Sequence, residues 1–309
     1  MKTQEPAELR QLRDRITRRF HKACADYGLI ADGDHILVGL SGGKDSLALV
    51  ELLGKRSRIH VPAFRVTAAH VIVEDIGYQS DADYLAHFCA DHNVDFRLLT
   101  TRINPAPTSI ASPAPASPAP TSSPSQATTA IWDAGGSPAI ASSDALSQTA
   151  PAVASPDAGA PSLNIKGNPC FLCSWYRRKA LFNLARQLGC NKLALGHHRD
   201  DIIQTHLLNL IYQGSISTIA PRMQMDKMPL QLIRPLCLID ETDLSRYAEL
   251  VQYRRVPKLC PYEHESRRAD VKRLLDQLQT LNPEVRDSIW GALHNVKPDY
   301  LPQRICPKH

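Results

Sequence analysis

Ser41-Gly42-Gly43-Lys44-Asp45-Ser46 stands between two apolar stretches of different character. Before it, His35-Ile36-Leu37-Val38-Gly39-Leu40 is a short continuous apolar run of the kind that forms a buried parallel strand. After it, Leu47-Ala48-Leu49-Val50-Glu51-Leu52-Leu53 reads as a helix. A glycine pair at a strand-to-helix junction lets backbone N–H groups turn inward, and the helix N-terminus adds partial positive charge. That combination makes a nest for phosphate. The loop is not the G-x-x-x-x-G-K-[ST] phosphate loop, because Lys44 occupies the place of the second glycine counted from Gly39.

Outward from this loop, strand and helix patterns alternate. A basic amphipathic helix over 8–27 precedes the strand at 36–40 and the helix at 47–53. A strand over 65–73, a helix over 81–91 and a strand over 95–99 follow. Further on come a helix over 173–188, a strand over 192–195, a helix over 200–212, a strand over 231–234 and a helix over 241–251. Such alternation predicts an α/β fold with a doubly wound parallel sheet and helical N- and C-terminal extensions. Ligands of these sheets bind beyond the carboxyl ends of the strands, where strand order reverses. Three segments are expected there: the Ser41 loop, Glu74-Asp75, and Gly196-His197-His198.

Residues 103–163 are a different material. They hold 16 Ala and 11 Pro among 61 residues, no Lys or Arg, and three acidic residues, Asp133, Asp144 and Asp157. Proline removes backbone donors, and so little apolar surface cannot offset the entropy of ordering the chain. The expectation is a disordered, partly polyproline-like insertion. The domain reading is then 1–30 helical extension, 31–102 first part of the loop-bearing domain, 103–163 insertion, 164–255 second part, and 256–309 a C-terminal helical region.

The net charge is +5. Basic residues gather over 10–19 and at Arg177-Arg178-Lys179, Arg254-Arg255 and Arg267-Arg268, which suits a polyanion partner or equally a set of solvated helix faces. No run of about eighteen apolar residues and no signal-peptide core are present, so a soluble, cytoplasmic protein without membrane attachment is expected. Eight cysteines in that setting point to thiols or to metal or cluster ligands, not disulfides.

Cys170-Phe171-Leu172-Cys173 opens a helix, where the dipole lowers thiol pKa and the spacing lets both sulfurs bind one centre. Cys260 is a third thiol, followed by Glu263 and His264. Three thiolates can hold a [4Fe–4S] cluster with one iron open; Cys170, Cys173, Cys260 and His264 can instead form a closed Cys3His zinc site. Cys24, Cys89, Cys190 and Cys237 sit in apolar contexts and read as small core residues. In Gly196-His197-His198-Arg199-Asp200-Asp201, Gly196 permits close backbone approach to a nucleotide. Asp200 can cap the next helix, and Asp201 can hold Mg2+, take a proton or cap.

The Ser41–Ser46 string resembles the PP-loop of ATP pyrophosphatases, which cleave ATP to AMP and pyrophosphate. With Cys170-x-x-Cys173 and Arg177-Arg178, the stretch Leu195 to Asp201, Ile233-Arg234-Pro235-Leu236 and Cys260, the chain is similar to the tRNA 2-thiocytidine synthetase (TtcA) family over nearly all of its length outside 103–163. The resemblance implies an adenine nucleotide alpha hydrolase-like PP-loop fold. ATP and Mg2+ would lie on Ser41, Gly42, Gly43, Lys44, Asp45 and Ser46, with the adenine against the 65–73 strand at His70 and against Gly196. Lys44, Asp45, Arg177 and Asp201 would be the catalytic groups, Arg177 steadying an adenylate. Cys170, Cys173 and Cys260 would hold a [4Fe–4S] cluster. It further implies 2-thiolation of an anticodon-loop cytidine (position 32 in the family) in tRNA, a cysteine desulfurase as sulfur source, and a homodimer. The family usually has a second C-x-x-C late in the chain; here Glu263 stands where its second thiol would be, and only the first late cysteine is expected to ligate. Two other readings are thiolation of another tRNA base, and a non-catalytic ATP- and RNA-binding protein with structural zinc.

Overall fold

The computed structural model describes residues 6–74, 81–102, 169–254 and 267–302, the side chains of 169–171 excepted. The 103–163 insertion, Cys260, Glu263, His264, Cys306 and Asp75 lie outside the described residues.

The element order is α1 (Ala7–Asp26), β1 (His35–Gly39), α2 (Lys44–Ser57), β2 (Arg65–Val73), α3 (Ala82–Asp91), β3 (Asp95–Thr101), α4 (Pro169–Leu188), β4 (Lys192–Ala194), α5 (Arg199–Gln213), β5 (Arg222–Gln224), β6 (Gln231–Ile233), α6 (Glu241–Leu250), α7 (Arg267–Leu281) and α8 (Val285–Ala292). The strands form one sheet in the order β3-β2-β1-β4-β6-β5, parallel except for β5. Sequence periodicity misses β5, a three-residue edge strand too short to carry an alternating pattern.

Two-residue alternation along β1 divides the core. Ile36 and Val38 face a cluster completed by Phe20 of α1, Leu49 of α2, Leu85 of α3 and Leu244 of α6. Leu37 faces the opposite side, with Val71, Leu193 and Leu232 of neighbouring strands and Leu181 and Leu184 of α4. Helices therefore cover both faces, as the continuous apolar strands require. A third cluster joins Ile203 and Leu207 of α5 to Val271 and Leu275 of α7. Cys89, Cys190 and Cys237 are buried core residues, and loss of hydration pushes their thiols up to about 12, 11 and 12. They remain protonated packing groups.

Strand order reverses at β1, which pairs with β2 on one side (Gly39 opposite Ala69) and β4 on the other (Val38 opposite Ala194). The loops after β1 and β4 are thereby forced together at one end of the sheet. Behind the first loop, α2 is buried continuously from Ser46 to Gly54. A Cβ on Gly54 would lie 2.4 Å from the His92 carbonyl oxygen. Alanine adds about 1 kcal/mol of helix propensity, but the blocking atom belongs to the backbone. We expect Gly54→Ala to be destabilising on balance, by about 1–3 kcal/mol in urea unfolding.

Charge also serves the fold. Arg15 donates to Asp243 at 2.6 and 2.8 Å, and Arg19 pairs with Asp240, binding α1 to α6. Arg267 stacks its guanidinium 4.8 Å from the Tyr212 ring centroid. Two of the basic clusters thus have internal partners for some of their members. Among the described residues no helix is long and apolar enough to cross a membrane.

Candidate active site

The loop after β1 is built by its own side chains and by β2. Leu40 N–H donates to the Ala69 carbonyl at 2.9 Å, and His70 Nδ1 donates to the Leu40 carbonyl at 2.7 Å. That carbonyl can only accept, so the His70 proton sits on Nδ1. His70 is buried. Loss of hydration lowers its pKa, Arg177 lowers it further, and the Leu40 contact opposes both. A neutral imidazole thus pins the base of the loop, and Arg177 of α4 is electrostatically close to it. Ser46 Oγ donates to Gly43 O at 2.9 Å and accepts from Ser41 N–H at 3.2 Å, while Gly43 N–H donates to Ser41 Oγ at 3.3 Å. The two serines close the ring of the loop. Gly42 has φ +81°, a left-handed backbone that glycine alone adopts without strain.

The helix after the loop starts earlier than its apolar run, at Lys44, so that Lys44 and Asp45 fall in the first turn of α2. Lys44 Nζ lies 3.2 Å from Asp45 and 3.8 Å from Glu241, all three side chains being about 30% exposed. Across the switch point, a Cβ on Gly196 would come within 3.3 Å of Asp45 C and Ser46 N. The close approach required of Gly196 is therefore to the start of α2. It seats the β4 loop directly on the first loop.

The structure keeps Asp201 in a cap and reassigns Asp200. The N-cap of α5 is His198, whose Nδ1 accepts from Asp201 N–H at 3.4 Å, while Asp201 Oδ2 accepts from His198 N–H at 3.0 Å. This is a capping box. Asp200 does not cap its own helix. It accepts from Glu241 N–H of α6 at 2.8 Å and from Arg286 Nε of α8 at 3.0 Å. Asp201 keeps its second oxygen 3.7 Å from Arg268 of α7. With Arg199–Asp287 (2.5 Å) and Lys272–Glu241 (2.8 Å), these pairs fasten α7 and α8 to the rim of the site.

Arg234, only 1% exposed, was not marked by sequence as a site residue. Its Nε donates to His197 Nδ1 at 3.3 Å, and its Nη1 to the Ala220 carbonyl. Loss of hydration, then the Arg234 charge, lowers the His197 pKa, so His197 is neutral with its proton on Nε2. The Ile233-Arg234-Pro235-Leu236 string carried the signal, although nothing local to it says that the arginine turns inward.

Cys170 lies in the first turn of α4, and Cys173, half-buried, follows three residues on, a spacing that shares one helix face. A thiol in the first turn of a helix is a residue type suited to soft-metal ligation. Among the described residues no group of three His, Cys, Asp or Glu side chains forms a metal site, the third thiol, Cys260, being outside them. Glu74 follows the carboxyl end of β2, as expected. It pairs with Arg102 and lines a groove beside β3.

No family model matches the chain. It is 31% identical over 306 residues to the tRNA-cytidine(32) 2-sulfurtransferase of Paraburkholderia phymatum, across 96% of this chain and 73% of that one. The enzyme of the same name from Burkholderia multivorans is 32% identical over 299 residues, covering 96% and 74%. The chain belongs to the tRNA-cytidine(32) 2-sulfurtransferase family. Among solved structures, the U34-tRNA thiolase NcsA of Methanococcus maripaludis with its [4Fe-4S] cluster superposes with a TM-score of 0.61 over 93% of this chain and 80% of that one. At 21% identity this likeness establishes the shared fold.

Proposed function

We propose that the chain is an ATP-dependent tRNA sulfurtransferase that forms 2-thiocytidine at position 32 in the cytoplasm. The observation that carries this reading is the seating of Gly196 on the first turn of α2, which joins the PP-loop to the family's second motif in one crevice. The chain's membership of the sulfurtransferase family supports the substrate and reaction.

The triphosphate would lie on Ser41, Gly42, Gly43 and Ser46, at the N-terminus of α2. Lys44 would neutralise the departing pyrophosphate, and Asp45 and Asp201 would hold Mg2+ on the phosphates. The cytidine O2 attacks the α-phosphorus, the bond to pyrophosphate breaks, and the base carries AMP on its oxygen. Arg177 would face that phosphate. A sulfide sulfur then bonds to C2, the C2–O bond breaks, AMP leaves, and loss of the S–H proton gives the thiocarbonyl. The adenylate is needed because a bare carbonyl oxygen is a poor leaving group. Cys170, Cys173 and Cys260 would hold a [4Fe–4S] cluster, which when bound supplies an open iron for sulfide. His70 acts through the loop it pins, with Gly196 as the close-packed wall opposite. A cysteine desulfurase would supply the sulfur, and the working unit would be a homodimer.

The test is reaction of the iron-loaded protein with ATP, Mg2+, sulfide and unmodified tRNA, followed by mass spectrometry of the nucleosides. Appearance of 2-thiocytidine is expected; a different thionucleoside would keep the chemistry and overturn the base assignment. For Cys173→Ala we expect 2-thiocytidine at background, loss of the broad visible thiolate-to-iron absorbance, and ATP affinity within about twofold of the parent. Zinc in place of iron, with activity retained, would overturn the cluster model.

A further inference from the structure

Beside the crevice, on the far side of α4, an open groove of about 570 Å³ runs between that helix and the edge strand β3. Its walls include Glu74, Thr101, Arg102, Tyr176, Lys179 and Asn183. Neither the PP-loop chemistry nor the cysteine pair uses it. At its rim Trp175 is 44% exposed, an unusual place for the largest apolar side chain. Its ring meets Tyr176 edge to face, with centroids 4.9 Å apart and planes at 87°. The Lys179 ammonium sits 5.0 Å from the Trp175 ring centroid.

We propose that this groove and rim form a docking surface for single-stranded RNA, receiving an unpaired nucleoside of the tRNA loop next to the one that reacts. The inference rests on the sulfurtransferase reading and adds to it where the substrate is gripped. Three features favour RNA. Two aromatic rings set at right angles offer a stacking face at the rim and a wall in the groove. Lys179 supplies positive charge for a phosphate flanking a stacked base, Arg102 being paired with Glu74. The lining is mixed: Leu99, Ala180 and Leu184 can pack on a base face, while Thr101 and Asn183 can accept from and donate to its edge. Position sets the distance: Trp175 stands two residues from both Cys173 and Arg177, across α4 from them, so a base held there is one helix diameter, ~10 Å, from the groups assigned to the chemistry.

The experiment measures binding of a fluorescently labelled anticodon stem-loop to the full-length protein at several salt concentrations, with ATP affinity measured in parallel. Trp175→Ala is expected to weaken RNA binding about tenfold, and Trp175→Phe to restore most of it, since stacking needs a ring and no specific base. Lys179→Ala should lessen the slope of log affinity against log salt by about one. ATP affinity should stay unchanged in all three. If the parent binds RNA and all three variants match it within about twofold, the docking surface is wrong while the sulfurtransferase reading stands. If the parent binds no RNA and makes no 2-thiocytidine, the functional reading itself falls and takes the surface with it.

Discussion

Lys44→Ala is expected to reduce 2-thiocytidine formation about 10²–10³-fold, the usual cost of removing one preorganised group facing developing charge. Stability should change by less than about 0.5 kcal/mol. The split follows from the geometry. The Lys44 ammonium touches Asp45 at 3.2 Å and Glu241 at 3.8 Å, and its side chain is 30% exposed. Such pairs are worth about 0–1 kcal/mol, so neither the fold nor the resting site depends on them. A triphosphate arriving at the first turn of α2 takes the ammonium at little cost. Lys44→Arg keeps the charge but replaces a compact ammonium with a planar fork, and partial activity is expected. Pyrophosphate release and nucleoside analysis under saturating ATP give the numbers. A rate within about threefold of the parent would remove Lys44 from the phosphate site.

Lys192→Ala is expected to cost about 3–5 kcal/mol, a large part of the stability of a typical domain. Lys192 and Asp34 are both about 5% exposed, and Nζ lies 2.6 Å from Asp34 Oδ2 and 2.9 Å from the Leu29 carbonyl. Asp34 also accepts from Ala31 N–H at 2.6 Å and from the Asn191 amide at 2.7 Å. Removing the lysine leaves a carboxylate in a dry place with no cation, which is what makes breaking such pairs severe. The pair ties the entry of β1 to the entry of β4, the two strands whose far ends carry the PP-loop and Gly196. Urea unfolding of Lys192→Ala and of the double variant Lys192→Ala with Asp34→Asn tests the cause. The double variant should recover part of the loss; an equal or greater loss would show that desolvated charge is not the source.

Much of the architecture was legible because its determinants are local. A continuous apolar run read as a buried strand, and β1 is buried from Ile36 to Val38. The glycine pair marked the turn into α2, and the helices found differ from their expected limits mainly at the ends. At α2 and α4 the true starts, Lys44 and Pro169, lie ahead of the apolar periodicity, because a first turn is set by capping and dipole and not by burial.

The pairings were not legible. Asp200 read as a cap for its own helix, yet it serves Glu241 and Arg286, 41 and 86 residues away. Glu51, the one charged residue of the apolar run 47–53, is buried and accepts from Tyr247 at 2.6 Å and from Tyr253 and Lys55. Loss of hydration would raise its pKa, but those three bonds outweigh it and keep it below the ordinary value. Basic clusters that suited a polyanion or solvated helix faces equally include groups paired within the chain, such as Arg15 with Asp243 and Arg268 with Asp201, and Lys179 set against the exposed Trp175 ring. From sequence alone came the strand–loop–helix units and the two loops that meet, since backbone preference and period are properties of neighbouring residues. Which carboxylate answers which arginine was decided only by tertiary structure, because a buried charge takes its partner from whatever the packed chain brings within hydrogen-bond reach, however distant in sequence.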